Sequence, residues 1–98
     1  MTDAEISCRL ARAIGWPKAM MQKDRAYVSD GNGLWLFFDY RVWTIIGPIA
    51  TRYERFPEAR AGARCGTEWE CVGISTYILY VADTPQKAIA LAVIGEGK

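Results

Sequence analysis

Hydrophobic residues recur at two different periods along this chain. Near the amino terminus Ile6, Leu10, Ala13 and Ile14 share one helical face, with Arg9 and Arg12 off that face and turned to water. Thr2-Asp3-Ala4-Glu5 has the T-x-x-E form of a capping box, so the helix starts there. Gly15 predicts a left-handed cap and Pro17 blocks continuation. From Arg25 to Phe38 the period shortens: "RAYVS" and "LWLFF" are β-prone runs flanking Asp30-Gly31-Asn32-Gly33, which predicts a hairpin. The second run is apolar at every position, the pattern of a strand covered on both faces.

The next stretch, Val42, Ile45, Ile46, Ile49, Tyr53 and Phe56, returns to helical spacing, yet Gly47-Pro48 interrupts it. One reading is a single bent helix from about Tyr40 to Arg55 capped by Asp39, in which Pro48 gives up the bond to the Thr44 carbonyl. The other is a loop up to Gly47, with Pro48 opening a shorter helix. The single phase of the apolar stripe on both sides favours the first.

Residues 58 to 65 alternate, with Ala59, Ala61, Ala63 and Cys65 on one side and Glu58, Arg60 and Arg64 on the other. A three-residue loop, Gly66-Thr67-Glu68, would pair this run with "EWECVG", placing Cys65 opposite Trp69, Ala63 opposite Cys71 and Arg64 opposite Glu70. "TYILYV", residues 76 to 81, predicts a further strand. Thr84 then caps a last helix whose first residue is Pro85, and "QKAIALAVI" is apolar around most of its circumference, as for a helix packed on both a sheet and a second helix. Gly95 is expected to end it, leaving Glu96-Gly97-Lys98 as a frayed tail. The element order predicts one α/β domain over residues 1–98. Its expected form is an α-β-β-α-β-β-(β)-α sandwich with a mainly antiparallel sheet covered by helices.

Composition narrows the functional classes. The 98 residues, 51% hydrophobic, suit one packed core. Twelve basic against eleven acidic residues leave a formal charge of +1, too little for a global field toward nucleic acid or acidic lipid. The apolar runs fall short of the roughly 20 residues that span a bilayer, and the acidic amino terminus is unlike a secretory signal, so a cytoplasmic protein with no membrane partner is expected. Three cysteines, Cys8, Cys65 and Cys71, form no paired motif and read as reduced core thiols.

Candidate chemistry is sparse. No histidine is present, which removes the commonest general base and metal ligand, so no enzyme, metal site or cofactor is expected. "GNG" at 31 to 33 lies between strands and reads as a turn rather than a phosphate loop, and Asp24, Asp30 and Asp39 read as turn and cap residues. Arg52, Arg55, Arg60 and Arg64 are the one local run of cations: either a patch for phosphate or an acidic protein surface, or a solvated face paired with Glu54, Glu58 and Glu70. Of four tryptophans, Trp35 and Trp69 are expected in the core and Trp16 over the first helix end. Trp43 falls off the apolar stripe; it is either an exposed anchor for a partner or packed on the hairpin.

Two segments, "VWTIIGPIATRYERF" and "DTPQKAIALAVI", with the opening "ISCRLARAIGW", resemble small tailed-bacteriophage proteins of the NinX-like and phage ABA sandwich domain group, a group of largely unknown function. The resemblance implies a sheet between helical layers and carries over no catalytic residue. "TII" before Gly47-Pro48 departs from the polar residues often found there in the group, implying either a partner surface or deeper burial. The combined expectation is a phage accessory protein that binds a host protein stoichiometrically, most plausibly to inhibit an antiviral defence such as a CRISPR complex. The alternatives are a nucleic-acid-binding module using the arginine run and a structural homodimer formed through Trp43 and Ile45-Ile46.

Overall fold

The computed structural model describes residues 1–59, 68–73 and 78–96, the side chain of Glu96 excepted. Among these residues the chain is an α/β sandwich of two antiparallel sheets, each with three described strands, in the orders β1-β2-β3 and β4-β5-β6. The elements are α1 (Asp3–Ala13), β1 (Lys18–Gln22), β2 (Arg25–Ser29), β3 (Trp35–Phe37), α2 (Trp43–Tyr53), β4 (Glu58–Ala59), β5 (Trp69–Val72), β6 (Leu79–Ala82) and α3 (Pro85–Glu96).

The caps of α1 follow from its sequence. The Thr2 hydroxyl accepts from the Glu5 amide while the Glu5 carboxylate accepts from the Thr2 amide, each at 3.2 Å. These bonds hold the Glu5 carboxyl below its usual range. At the other end Trp16 N–H donates to the Ala11 carbonyl and Gly15 N–H to that of Arg12, with Gly15 at φ 104°. This is a Schellman closure, and glycine adopts its left-handed position without a Cβ penalty. Arg12 does not simply face water: its guanidinium donates to the Ala19 carbonyl and ties the helix end to β1.

Strand β1 is additional to the expected hairpin. It joins β2 through Lys23-Asp24, with a positive φ only at Lys23. Lys23 thus takes the left-handed φ that tight hairpin turns favour glycine for.

Helix α2 runs through Gly47-Pro48 as one element. It begins at Trp43, capped by the Val42 backbone, and not at Tyr40. Asp39 instead folds the preceding loop by accepting from the Arg41 amide. Thr44 and Pro48 lie on the exposed side, where water can take the carbonyl that proline leaves unbonded. Ile46 is fully buried and Ile45 packs against the core, so the two isoleucines of "TII" serve burial while Thr44 stays exposed. Burial also withdraws Ile46 from any surface for self-association.

The helices form the shared centre. α1 packs on β1 and β2, α3 packs on β5 and β6, and α1 and α2 both pack against α3. The main core joins Ile6 and Leu10 of α1, Val28 of β2, Ile46 and Ile49 of α2, and Ile89 and Val93 of α3, with Phe38 and Tyr40. A second, smaller core sets Ala88 and Ala92 of α3 against Cys71 and Ala82. The all-round apolar character of α3 thus serves two cores. Gly95 lies inside α3 and does not end it: a Cβ there would overlap the Tyr80 phenol oxygen, so glycine permits the approach of β6.

The register of β4 on β5 departs from the expected one. Glu58 faces Glu70 and Ala59 faces Trp69, a six-residue offset from the pairing of Cys65 with Trp69. The offset is even, so alanine still shares a face with Trp69. The expected partners Ala61, Ala63, Arg64, Cys65 and the 66–67 loop lie outside the described residues, as do residues 76–77 of the last predicted strand and the 97–98 tail.

Candidate docking surface

Side chains opposite one another in antiparallel strands share a face. Two registers therefore assign the first sheet. Lys18, Ser29 and Trp35 form one row, Met20, Tyr27 and Phe37 the next, and Gln22 with Arg25 the third, all pointing away from the helices. The opposite face carries Ala26 and Val28 into the core.

The outer face is apolar and uncovered. Met20 is 39% exposed, Trp35 40% and Phe37 49%. Tyr27 and Phe37 meet with ring centroids 5.9 Å apart, and the Arg25 guanidinium lies 5.8 Å from the Phe37 centroid. Of its eight residues two are cationic, Lys18 and Arg25, and none is a carboxylate. Ser29 is the buried exception, its hydroxyl accepting from the Gly31 amide. Aromatics, methionine and arginine together, free of carboxylates, are what protein interfaces concentrate.

The expectation that "LWLFF" is covered on both faces is therefore corrected. Leu34, Trp35, Leu36 and Phe37 are all exposed, and only Phe38 enters the core. The physical reason is that α1 packs mainly on β1 and β2, leaving β3 at the edge of the described strands. Trp35 is thus not a core residue, Trp69 is half-buried against the smaller core, and Trp16 packs beside the main one.

The sequence candidates are placed apart. Trp43 is 52% exposed at the start of α2. Arg52 is exposed with its guanidinium 5.2 Å from the Tyr53 ring centroid. Arg55 is engaged by backbone, donating to the Val72 carbonyl at 2.6 Å and to that of Tyr53 at 3.0 Å, which fastens the end of α2 to β5. Arg60 and Arg64 lie outside the described residues.

A cleft of about 350 Å³ opens between α1 and the β2–β3 pair, lined in part by Asp3, Ser7, Asp24, Arg25, Asp39 and Arg41. Asp3, Ser7, Asp39 and Arg41 are committed to the fold. Arg41 bridges Asp39 at 2.8 Å and Asp3 at 3.3 Å, the Tyr40 hydroxyl donates to Asp3, the Tyr40 amide donates to the Ser7 hydroxyl, and Gln86 donates to the Arg41 carbonyl. Arg41 holds the Asp39 carboxyl below its usual range, and Asp39 in return raises Arg41. Burial, then the bond to Asp3, raises the Tyr40 phenol far above its ordinary value. This is a lock joining α1, the β3–α2 loop and α3. Nothing in the sequence pattern singled out Arg41 or Tyr40 as a lock, because the partners that tie them to α1 and α3, Asp3, Ser7 and Gln86, lie more than thirty positions away.

Among the described residues, no group of three or more His, Cys, Asp or Glu side chains is placed to hold a metal ion, and no helix is long and apolar enough to cross a membrane. Compared with protein-family models and with curated proteins, the chain finds no match.

Proposed function

We propose that this chain is a tailed-bacteriophage accessory protein that acts without catalysis, by stoichiometric binding to a host protein, and that the outer face of the first sheet is its docking surface. The observation that carries the reading is that face itself: Met20, Tyr27, Trp35 and Phe37 uncovered, beside Lys18 and Arg25 and without a carboxylate. Its complement is an apolar patch rimmed by acidic side chains on the partner. The phage resemblance points to a host target, and a complex of antiviral defence, such as a CRISPR complex, is the class to test first.

The test begins with co-purification from a bacterial lysate and continues with titration of the purified partner. A saturable one-to-one complex is expected, weakened about tenfold or more by Phe37→Ala and by the pair Lys18→Glu and Arg25→Glu, since anchors of this kind cost about 1–4 kcal/mol when removed. Affinity unchanged in both variants overturns the docking surface; failure to retrieve any saturable partner overturns the accessory role. The competing occupant is single-stranded nucleic acid, whose bases would stack on Tyr27, Trp35 and Phe37. It would reveal itself by saturable binding of homopolymer that falls steeply with salt, and that result would replace the protein partner.

A further inference from the structure

We infer that β3 is a self-complementary edge, and that two copies of this chain pair through it, antiparallel about Leu36, to form one continuous six-stranded sheet. This goes beyond the docking reading and does not depend on it.

The backbone parity of β3 sets the geometry. Phe38 N–H donates to the Ala26 carbonyl, so the peptide groups of Phe38, and by alternation those of Leu36, turn toward β2. The N–H and C=O groups of Trp35 and Phe37 therefore turn outward, to an edge on which no described strand pairs. Natural edges of this kind are protected by a charge, a proline or a bulge. Leu34 to Phe38 contains no charged residue and no proline, and its pairing with β2 runs unbroken from Trp35 to Phe37. The opposite edge of the same sheet, β1, is protected by Lys18.

A second copy meets this edge without mismatch. With Leu36 opposite the second copy's Leu36, each Trp35 faces a Phe37 and the two residues exchange both backbone bonds, because theirs are the outward-facing groups. The side chains fit as well. Two Trp-Phe pairs form on the outer face, the type of cross-strand contact that stabilises sheets, and the two Leu36 side chains meet on the other. Leu36, 49% exposed although it shares a face with buried Val28, is thereby covered. The uncharged edge of the second sheet, β6, differs: Tyr80 and Ala82 are already packed in the smaller core. One strand per copy is a small contact, so a dissociation constant in the micromolar range is expected.

The register makes the test specific. Leu36 sits at a non-hydrogen-bonded position of the new pair, where Cα atoms approach to about 4.5 Å, within disulfide reach. In a Cys65→Ser background, Leu36→Cys should give a covalent dimer on mild oxidation, whereas Leu34→Cys should not, because two-fold pairing moves its counterpart about 13 Å along the strand. Light scattering on the wild type should show mass doubling with concentration. Trp35→Pro, which removes an outward amide and leaves the bonds to β2 intact, should weaken dimerisation about tenfold or more while retaining the circular dichroism of the fold. Monomeric mass at every concentration overturns the inference, as does cross-linking of Leu34→Cys as fast as Leu36→Cys. A folded Trp35→Pro variant that dimerises normally would assign the dimer to another surface and overturn it equally.

Discussion

Removing one oxygen from Tyr40 should make the protein both weaker at neutral pH and less sensitive to alkali. The Tyr40 ring is 2% exposed, and its hydroxyl donates to Asp3, which also receives Arg41. A hydrogen bond to a charged group contributes about 1.5–3 kcal/mol. The Asp3 side chain is 46% exposed and keeps its arginine partner in the variant, so solvent screening moves the expected loss for Tyr40→Phe toward about 1–2 kcal/mol. For a domain of this size that is a fall in Tm of about 4–8 °C per kcal/mol. The phenol is raised in the folded state from an ordinary value of 10.0. Below that pH folded and unfolded chains both keep the proton, and the stabilisation is fully present. Above it the unfolded chain releases its proton first, so wild-type stability falls by about 1.4 kcal/mol per pH unit until the folded phenol also ionises. Phenylalanine has no such limb. Urea denaturation of both proteins between neutral pH and about pH 11 should show the gap close as pH rises through the phenol range. A gap that stays constant across that range, or a variant as stable as wild type at neutral pH, would refute the lock.

Three further substitutions test other parts of the fold. Glu54 closes α2 in the left-handed region at φ 53°, a conformation that costs a non-glycine residue about 1–2 kcal/mol; Glu54→Gly should stabilise by about 1 kcal/mol in urea melts, and a loss of stability would count against strain there. Gly95→Ala gains about 1 kcal/mol of helix propensity but must displace the Tyr80 ring at about 1–3 kcal/mol, so a lowered Tm is expected and a raised one would show that the ring moves freely. Asp39, its carboxyl depressed by Arg41, contributes stability that is present above its unfolded value of about 4 and lost as pH falls through the folded one. Asp39→Asn should flatten that acid limb, and an unchanged acid midpoint would place the effect elsewhere.

The helices were legible because their boundary chemistry is local. Thr2 with Glu5, Gly15 with Pro17, and Thr84 with Pro85 act within a few residues of where they stand, and each marks an observed helix end. β1 was hidden because its turn is Lys23-Asp24, without the glycine or asparagine that announces a hairpin. "LWLFF" misled because a run of apolar residues has the same pattern whether helices cover both faces or neither. The β4–β5 register escaped because an Arg64–Glu70 pairing looked favourable locally, whereas the observed pairing sets Glu58 against Glu70. The docking face lay half in view: Arg25, Tyr27 and Ser29 alternate within "RAYVS", but only the three-strand register brings Met20, Trp35 and Phe37 beside them.

The order of strands has a kinetic corollary. Within each sheet the strands follow chain order, so each described strand pairs with its neighbour in sequence. What unites the halves is the meeting of α1 with α3, residues 3–13 with 85–96. Closing that span is the entropically expensive search, and it comes before Leu10 and Ile89 can share a core. Shortening either of those side chains should lower the folding arm of a chevron more than it raises the unfolding arm, while trimming Val72 or Leu79, both exposed in the second sheet, should leave the folding arm where it is.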